Sequence, residues 1–342
     1  MLARLVGMPA ANPNAPYLGL WSRVQGFEAE QLVHCLQQRR AVRAPLFRST
    51  SHTVLAEDWL AFRPVLQPVL ERALWVASRY GRQLDELDVD RLLARAHDLL
   101  AAGTKSTQEL GAELAEHWPE HHPDALARAT TLLLPVLQVP HDGRGGADER
   151  FAIADDWLGR SPHAASPAED SRLDEMIVRY LGAFGPATLQ DIQAWSGLTD
   201  LGDEMRGLGG AVRLDRGEDG AELYDVDGAP RPSEETPVPV RFLPEHDNVL
   251  GAHHDRARVV AEADVGTLHR RGGGACRTVL IGGYVRATWA ITRERGAAVL
   301  VVEPFGPLRR GDQRDLEDEG IRLLAFAALG AEDYDVRVIE PN

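Results

Sequence analysis

The sequence predicts an α+β protein in which one arrangement, helices followed by a β-hairpin, recurs three times ahead of a small β-rich domain. Three observations predict it. Arg39, Arg40, Arg43 and Arg48 crowd into one short stretch before the alternating Ser51, His52, Thr53, Val54 and Leu55; the same order of helices and hairpin can be read twice more downstream; and after a linker over 228–239, rich in proline and acid, the composition shifts to strands. A basic hairpin between helices is the layout of a winged helix, in which one helix can enter a groove while the hairpin lies along a nucleic-acid backbone. The predicted divisions are three tandem winged-helix units over 1–82, 83–165 and 166–230, then a β-rich C-terminal domain over 231–342.

In the first unit an apolar stretch over 2–7 is broken by the Asn and Pro residues of 12–16, and helices are predicted over 17–24 and 28–39, the second with Leu32, Val33 and Leu36 on one face. Pro45 places the first hairpin strand at an edge, where a missing N–H costs least. Glu57 and Asp58 open a helix continued by Trp59, Phe62, Leu66, Leu70 and Leu74, with Pro64 and Pro68 predicting a turn and a restart near Pro64. The second unit has helices over 85–102, 106–117 and 123–132, with Ser106 and Glu109 spaced as a capping box, then strands over 133–139 and 150–157 around the turn-rich HDGRGGAD. The third has a helix over 173–184, a second capped by Thr188 and Asp191, a third over 200–208, and a hairpin around GEDG. In the last domain the two glycines of TVLIGGYVRATWAI predict a two-residue hairpin, followed by a strand over 297–302, an acidic amphipathic helix over 314–329 and a strand over 334–339. Trp59, Trp75, Trp195 and Trp289 fall on apolar faces and are expected in cores.

Composition narrows the function. A chain of 342 residues, 44% hydrophobic, can bury several cores. No apolar run reaches the roughly 18 residues that span a bilayer, and no signal-peptide pattern opens the chain, so a cytoplasmic protein with no membrane partner is expected. Cys35 and Cys276 have no metal-like spacing and predict two free thiols. The net charge of -15 argues against indiscriminate nucleic-acid binding, so a DNA site must be a focused basic patch. Lys105 is the only lysine; the other basic residues are arginine, which suits phosphate recognition and equally reflects a GC-rich genome. The pairs His121-His122 and His253-His254 point apart within each pair, and Gly272 to Gly274 lacks a phosphate-loop context, so neither metal nor cofactor is expected.

The strings GMPAANPNAPYLGLW, VRAPLFRSTSHTV, YLGAFGPATLQDIQAWSGL, FLPEHDNVLGAHHDR and VEPFGPLRR, in this order over nearly the whole chain, resemble the winged-helix DNA-binding family of the AlkZ/YcaQ-like DNA glycosylases. The resemblance implies winged helices around a DNA channel, a double-stranded DNA partner that is alkylated or crosslinked, and excision of the damaged base. It also implies a catalytic Gln-x-Gln or Gln-x-Asp pair just before the Pro-Tyr-Leu-x-Leu-Trp string. Aligning Gly7 and NPNAPYLGLW puts that pair on Pro9 and Ala11, neither of which has a polar side chain, so the motif is not retained. Asn12 is the nearest polar candidate to hold a water, turn chemistry being its other reading. Members of the family have a further helix before this point, so the first winged helix is expected to lack one supporting helix and to expose Leu2, Leu5 and Val6. Arg48, Thr50 and His52 match the family's Arg-x-Thr-x-His string; with Arg39, Arg40, Arg43 and the loop residues Arg270 and Arg271 they form the candidate DNA-binding set, His52 being equally readable as a buried histidine that satisfies strand hydrogen bonds.

Three functional readings follow. The first is a DNA-binding winged-helix relative of glycosylases with weak, altered or absent activity. The second is an active monofunctional glycosylase for bulky N7- or N3-alkylpurines, serving DNA repair or genotoxin self-resistance. The third is a non-catalytic sequestering or regulatory protein. A monomer is expected in each case.

Overall fold

The computed structural model describes residues 1–139, 149–160, 169–218 and 220–340; the HDGRGGAD turn and part of GEDG lie outside them. It divides into two units, Met1–Asn14 with Glu28–Ala229, and Ala15–Phe27 with Pro230–Asn342. The helix expected over 17–24 in the first winged helix is observed as Ala15–Trp21, within the second unit.

The first unit is built on β1 (Met8–Pro9), β2 (Ala41–Pro45), β3 (Ser51–Leu55), β4 (Lys105–Ser106), β5 (Val136–Val139) and β6 (Arg150–Ile153), in the spatial order β1-β3-β2-β5-β6-β4. Two hairpins read as separate units in the sequence, β2-β3 and β5-β6, are therefore one sheet, joined where Arg43 pairs with Gln138. Pro45 was expected on an edge strand. β2 is interior, but its pairing with β5 is confined to Arg43, so Pro45 lies past the end of that ladder and no hydrogen bond is lost. β1 was not anticipated; Pro9 is tolerated there because β1 is the outermost strand.

Residues paired across antiparallel strands point to the same side of the sheet. Met8, Thr53, Arg43, Gln138 and Phe151 thus share one face, and Val42, Ala44, Val54, Leu137 and Pro9 the other. The second face enters a core with Trp59, Phe62, Ile177, Tyr180 and Trp195. At its far end the first face supplies Val136, Phe151 and Ile153 to a different core, with Leu92, Leu110 and Leu126. One sheet serves two cores from opposite sides.

The helices around it follow the local signals. Ser106 and Glu109 cap Thr107–Ala115 reciprocally (3.1 and 2.8 Å), and Thr188 and Asp191 do the same for Leu189–Ser196 (3.1 and 2.9 Å). Pro64 is accommodated near the end of Ala56–Val65, and the restart comes at Gln67–Trp75 with Pro68 in its first turn. The buried Arg63 donates to the carbonyls of Leu132 (2.8 Å) and Leu134 (3.3 Å) at the C-terminus of Pro123–Leu133, where a cation complements the helix dipole. The third hairpin, β7 (Arg213–Arg216) with β8 (Glu222–Asp225), forms its own two-stranded sheet after Glu169–Phe184, Leu189–Ser196 and Gly202–Gly207.

Two expectations are corrected here. The apolar face on Leu2, Leu5 and Val6 is not exposed: Leu2 and Val6 are buried and Leu5 half-buried. The short helix Leu2–Leu5 packs on Glu169–Phe184, and Arg179 of that helix donates to the Ala3 carbonyl (2.9 Å) and to Asp58 (2.8 Å). Trp75, expected in a core, is 39% exposed at the end of its helix.

In the second unit β9 (Arg241–Leu243), β10 (Thr278–Ile281), β11 (Tyr284–Glu294), β12 (Ala297–Pro304) and β13 (Asp333–Val338) form a sheet ordered β13-β12-β11-β10-β9. Gly282 and Gly283 both have positive φ, 57° and 85°, as the two-residue turn between β10 and β11 requires. The helix Arg310–Ala327 returns the chain so that β13 lies parallel to β12. Arg23 is ion-paired with the buried Asp247 (2.9 Å), and Trp21 stacks on Phe326, which anchors the 15–27 segment in this unit.

Phe62 is fully buried between the elements that share the first core. Phe62→Ala is expected to lower the unfolding free energy by about 3–5 kcal/mol, read as a fall in the urea midpoint.

Candidate functional site

The segment onto which the resemblance places catalysis lies along the outer strand. Met8 pairs with Thr53 and Pro9 with His52, and the Ala10 amide donates to Ser51 O (2.8 Å). Pro9 and Ala10 are buried and Ala11 is exposed. Asn12 is half-buried, its Oδ1 accepting from the Asn14 amide (2.9 Å), which is the turn chemistry its sequence context allows.

The polar groups beside this segment come from the other strands. Arg43 reaches across β3 and donates from Nε to the Ala10 carbonyl (2.9 Å) and from Nη2 to Ala11 O (3.5 Å). The same Nη2 is 2.6 Å from Glu149 Oε1. Gln138, the pairing partner of Arg43, donates from Nε2 to Ser51 Oγ (3.3 Å) and to Glu149 Oε2 (3.2 Å). Its Oε1 is buried and accepts no hydrogen bond from the described residues. Arg43, Gln138, Glu149 and Ser51 therefore form one polar layer against the backbone of Ala10 and Ala11. Gln138 and Glu149 were missed in the sequence. For Gln138 a signal was present, as the one polar side chain in the apolar run LLLPVLQVP; Glu149, beside a turn-rich stretch, had none.

The rest of the predicted DNA-binding set is distributed differently from the expected basic wing. The tip of the β2-β3 hairpin is apolar and turns inward: Leu46 and Phe47 are buried, with Phe47 4.3 Å from Trp195. Arg48 follows it and donates to the Trp195 carbonyl, and burial lowers its pKa to about 10. The close approach is possible because Gly197, at φ 85°, has no Cβ; one there would lie 3.2 Å from the Arg48 Cα. His52 is buried, edge-on to Phe47, and its Nδ1–H donates to Thr50 O (2.9 Å). Burial and the nearby Arg48 charge lower its pKa to about 3, so it is neutral at physiological pH. Thr50 is exposed and donates to Phe47 O (3.2 Å). Arg39 and Arg40 are exposed at the helix end, Arg39 stacked over Trp157 and bonded to its carbonyl (2.6 Å). In the second unit, Arg270 is exposed and bonded to Thr267 (3.0 Å), while Arg271 is ion-paired with Glu303 and bonded to Thr288 (2.8 Å). The geometry thus brings Arg43 to the Pro9–Ala11 segment, gives Arg48 and His52 roles inside the fold, and leaves Arg39, Arg40, Thr50 and Arg270 exposed. Among the described residues no three His, Cys, Asp or Glu side chains gather as a metal site requires, and no helix is long and apolar enough to cross a membrane.

The described residues thus form a mixed α+β fold in which two hairpins share one six-stranded sheet, with the polar layer on one of its faces, and a five-stranded sheet belongs to the other unit. The model for DNA glycosylase AlkZ-like proteins matches residues 2–326, and the chain belongs to that family. Among solved structures it is similar to the Streptomyces sahachiroi DNA glycosylase AlkZ, with a TM-score of 0.75 at 17% identity, over 99% of this chain and 92% of that one. At this identity the likeness is one of fold. No curated protein sequence matches the chain.

Two outcomes test this assignment of roles. Arg48→Ala is expected to destabilise the protein by about 1–3 kcal/mol, as a buried carbonyl loses its charged donor, without changing the salt dependence of any duplex binding. The native pKa of His52 lies below its unfolded value, so the unfolded chain binds the proton first and stability is lost as pH falls from about 6.5 towards 3. Urea midpoints measured across that range should fall less steeply for His52→Asn than for the natural protein.

Proposed function

We propose that this protein is a monofunctional DNA glycosylase that binds alkylated double-stranded DNA and releases N7- or N3-alkylpurines, acting as a cytoplasmic monomer. The observation that carries the reading is membership of the AlkZ-like family over nearly the whole chain. Three winged-helix units form the proposed scaffold. In support, the helices of 89–133 lead into β5-β6, and those of 169–207 into β7-β8, in the order helix, helix, hairpin. The first unit is the least regular, because its hairpin tip is buried.

The chemistry makes modest demands on the protein. A purine alkylated at N7 or N3 carries positive charge and leaves without being protonated. The protein must then stabilise an oxocarbenium-like sugar and orient a water, a task of electrostatics and position. Bulky and crosslinked adducts cannot easily leave the stack for a small pocket, so the reaction is proposed to occur with the base largely in place.

A second reading, a DNA-binding relative without catalysis, is favoured by Pro9 and Ala11, where the resemblance puts the glutamine pair. Incubating the protein with duplex DNA carrying N7-methylguanine or a bulky N7-adduct, beside the double variant P9Q/A11Q, separates the two. Base release by the natural protein is the expected result. Release only by the double variant would mean a competent scaffold that has lost its chemistry. Retained duplex binding with no release by either would favour the second reading.

A further inference from the structure

We propose that Glu149, held by Arg43 and Gln138, faces the cationic sugar and takes the proton of the attacking water, in place of the glutamine pair that segment 8–11 lacks. This rests on the glycosylase reading above. Arg150 pairs with Val139, so Glu149, one residue earlier, belongs with Gln138 on the face that carries Arg43 and Ser51. All four side chains then meet beside Ala10 and Ala11: one guanidinium nitrogen of Arg43 touches both the Ala11 carbonyl and the Glu149 carboxylate. The required polar groups are therefore present at the expected location, but come from β5 and the residue before β6.

The hydrogen-bond inventory of the layer fits this role. Among the described residues each Glu149 oxygen has one donor, Arg43 at 2.6 Å or Gln138 at 3.2 Å. The Gln138 orientation is fixed electrostatically, since reversing the amide would turn its oxygen on the carboxylate. Gln138 Oε1 is then a buried acceptor that no described group satisfies. A water that donates one hydrogen to the exposed edge of the Glu149 carboxylate would keep a lone pair free for the sugar, while Arg43 and the Gln138 amide hold that carboxylate in place. The Glu149 side chain is 34% exposed, so this edge of the layer is open to a ligand.

The reaction balances without a further reagent. The C1′–N9 bond breaks with its electron pair going to N9, which neutralises the alkylpurine; the water oxygen bonds to C1′; and its proton passes to Glu149 and then to solvent. Arg43 and Gln138 are positioning residues, acting through Glu149.

The test uses the full-length protein and single-turnover release of N7-methylguanine from duplex DNA, with duplex affinity and thermal midpoint measured alongside. E149Q keeps the size of the side chain and an acceptor for Arg43. It is expected to lower the release rate about 100-fold or more while duplex Kd stays within about twofold, with E149D recovering part of the rate. The acid limb of the natural protein's pH–rate profile should disappear in E149Q, which loss of a structural link between two hairpins would not produce. If the natural protein releases base and E149Q matches it, the Glu149 role is overturned and the glycosylase reading stands. If E149Q loses rate only in proportion to a fall in affinity or thermal midpoint, Glu149 is structural and the proposal is overturned. A natural protein that releases no base overturns both.

Discussion

The pairing of Arg43 with Gln138 joins two hairpins into one sheet, and much of the first unit depends on it. Through this junction a single sheet supplies Val42, Val54 and Leu137 to one core and Val136, Phe151 and Ile153, from its other side, to a second. Both partners at the junction are polar and project on the same face, so the place where the face changes from polar to apolar is also where a guanidinium and an amide stand side by side. Arg43 extends the link outward to the backbone of Ala10 and Ala11, and Gln138 extends it to Ser51.

How much of this was legible depends on the range of the interaction. Local signals translated directly: the capping boxes of Ser106 with Glu109 and Thr188 with Asp191, and the Gly282-Gly283 turn, are properties of a few consecutive residues. The strand-helix-strand end of the chain was read with boundaries shifted by a few residues, the usual cost of fraying ends. Long-range pairings did not translate. β1 is two residues long and contains a proline, and no local pattern announces that it will pair with β3. The Arg48 and His52 string was visible, but its surroundings are set by Trp195, far along the chain. A basic, alternating stretch reads as an outward wing until the apolar Leu46 and Phe47 at its tip are given a core to enter.

The site follows the same rule. Reading along one segment found Pro9, Ala11 and Asn12, and no chemistry beyond an amide engaged in a turn. The polar layer is assembled from three strands, β2, β3 and β5, and the residue before β6, so no single stretch contains it. This fits the proposed role of the layer: the sheet can present a carboxylate and an amide beside Ala10 and Ala11 from a neighbouring hairpin, provided Arg43 fixes both sides. Preorganised charge is what cleavage of a cationic alkylpurine requires, and it does not matter which strand supplies it.

The most direct measurement is a crystal structure of the full-length protein on duplex DNA in which the target sugar is replaced by a cationic nitrogen ring that mimics the oxocarbenium ion. The account predicts the Glu149 carboxylate within hydrogen-bond distance of that ring nitrogen, still held by Arg43 and Gln138. A ring nitrogen facing Asn12, or held away from the Arg43, Gln138 and Glu149 layer altogether, would contradict it.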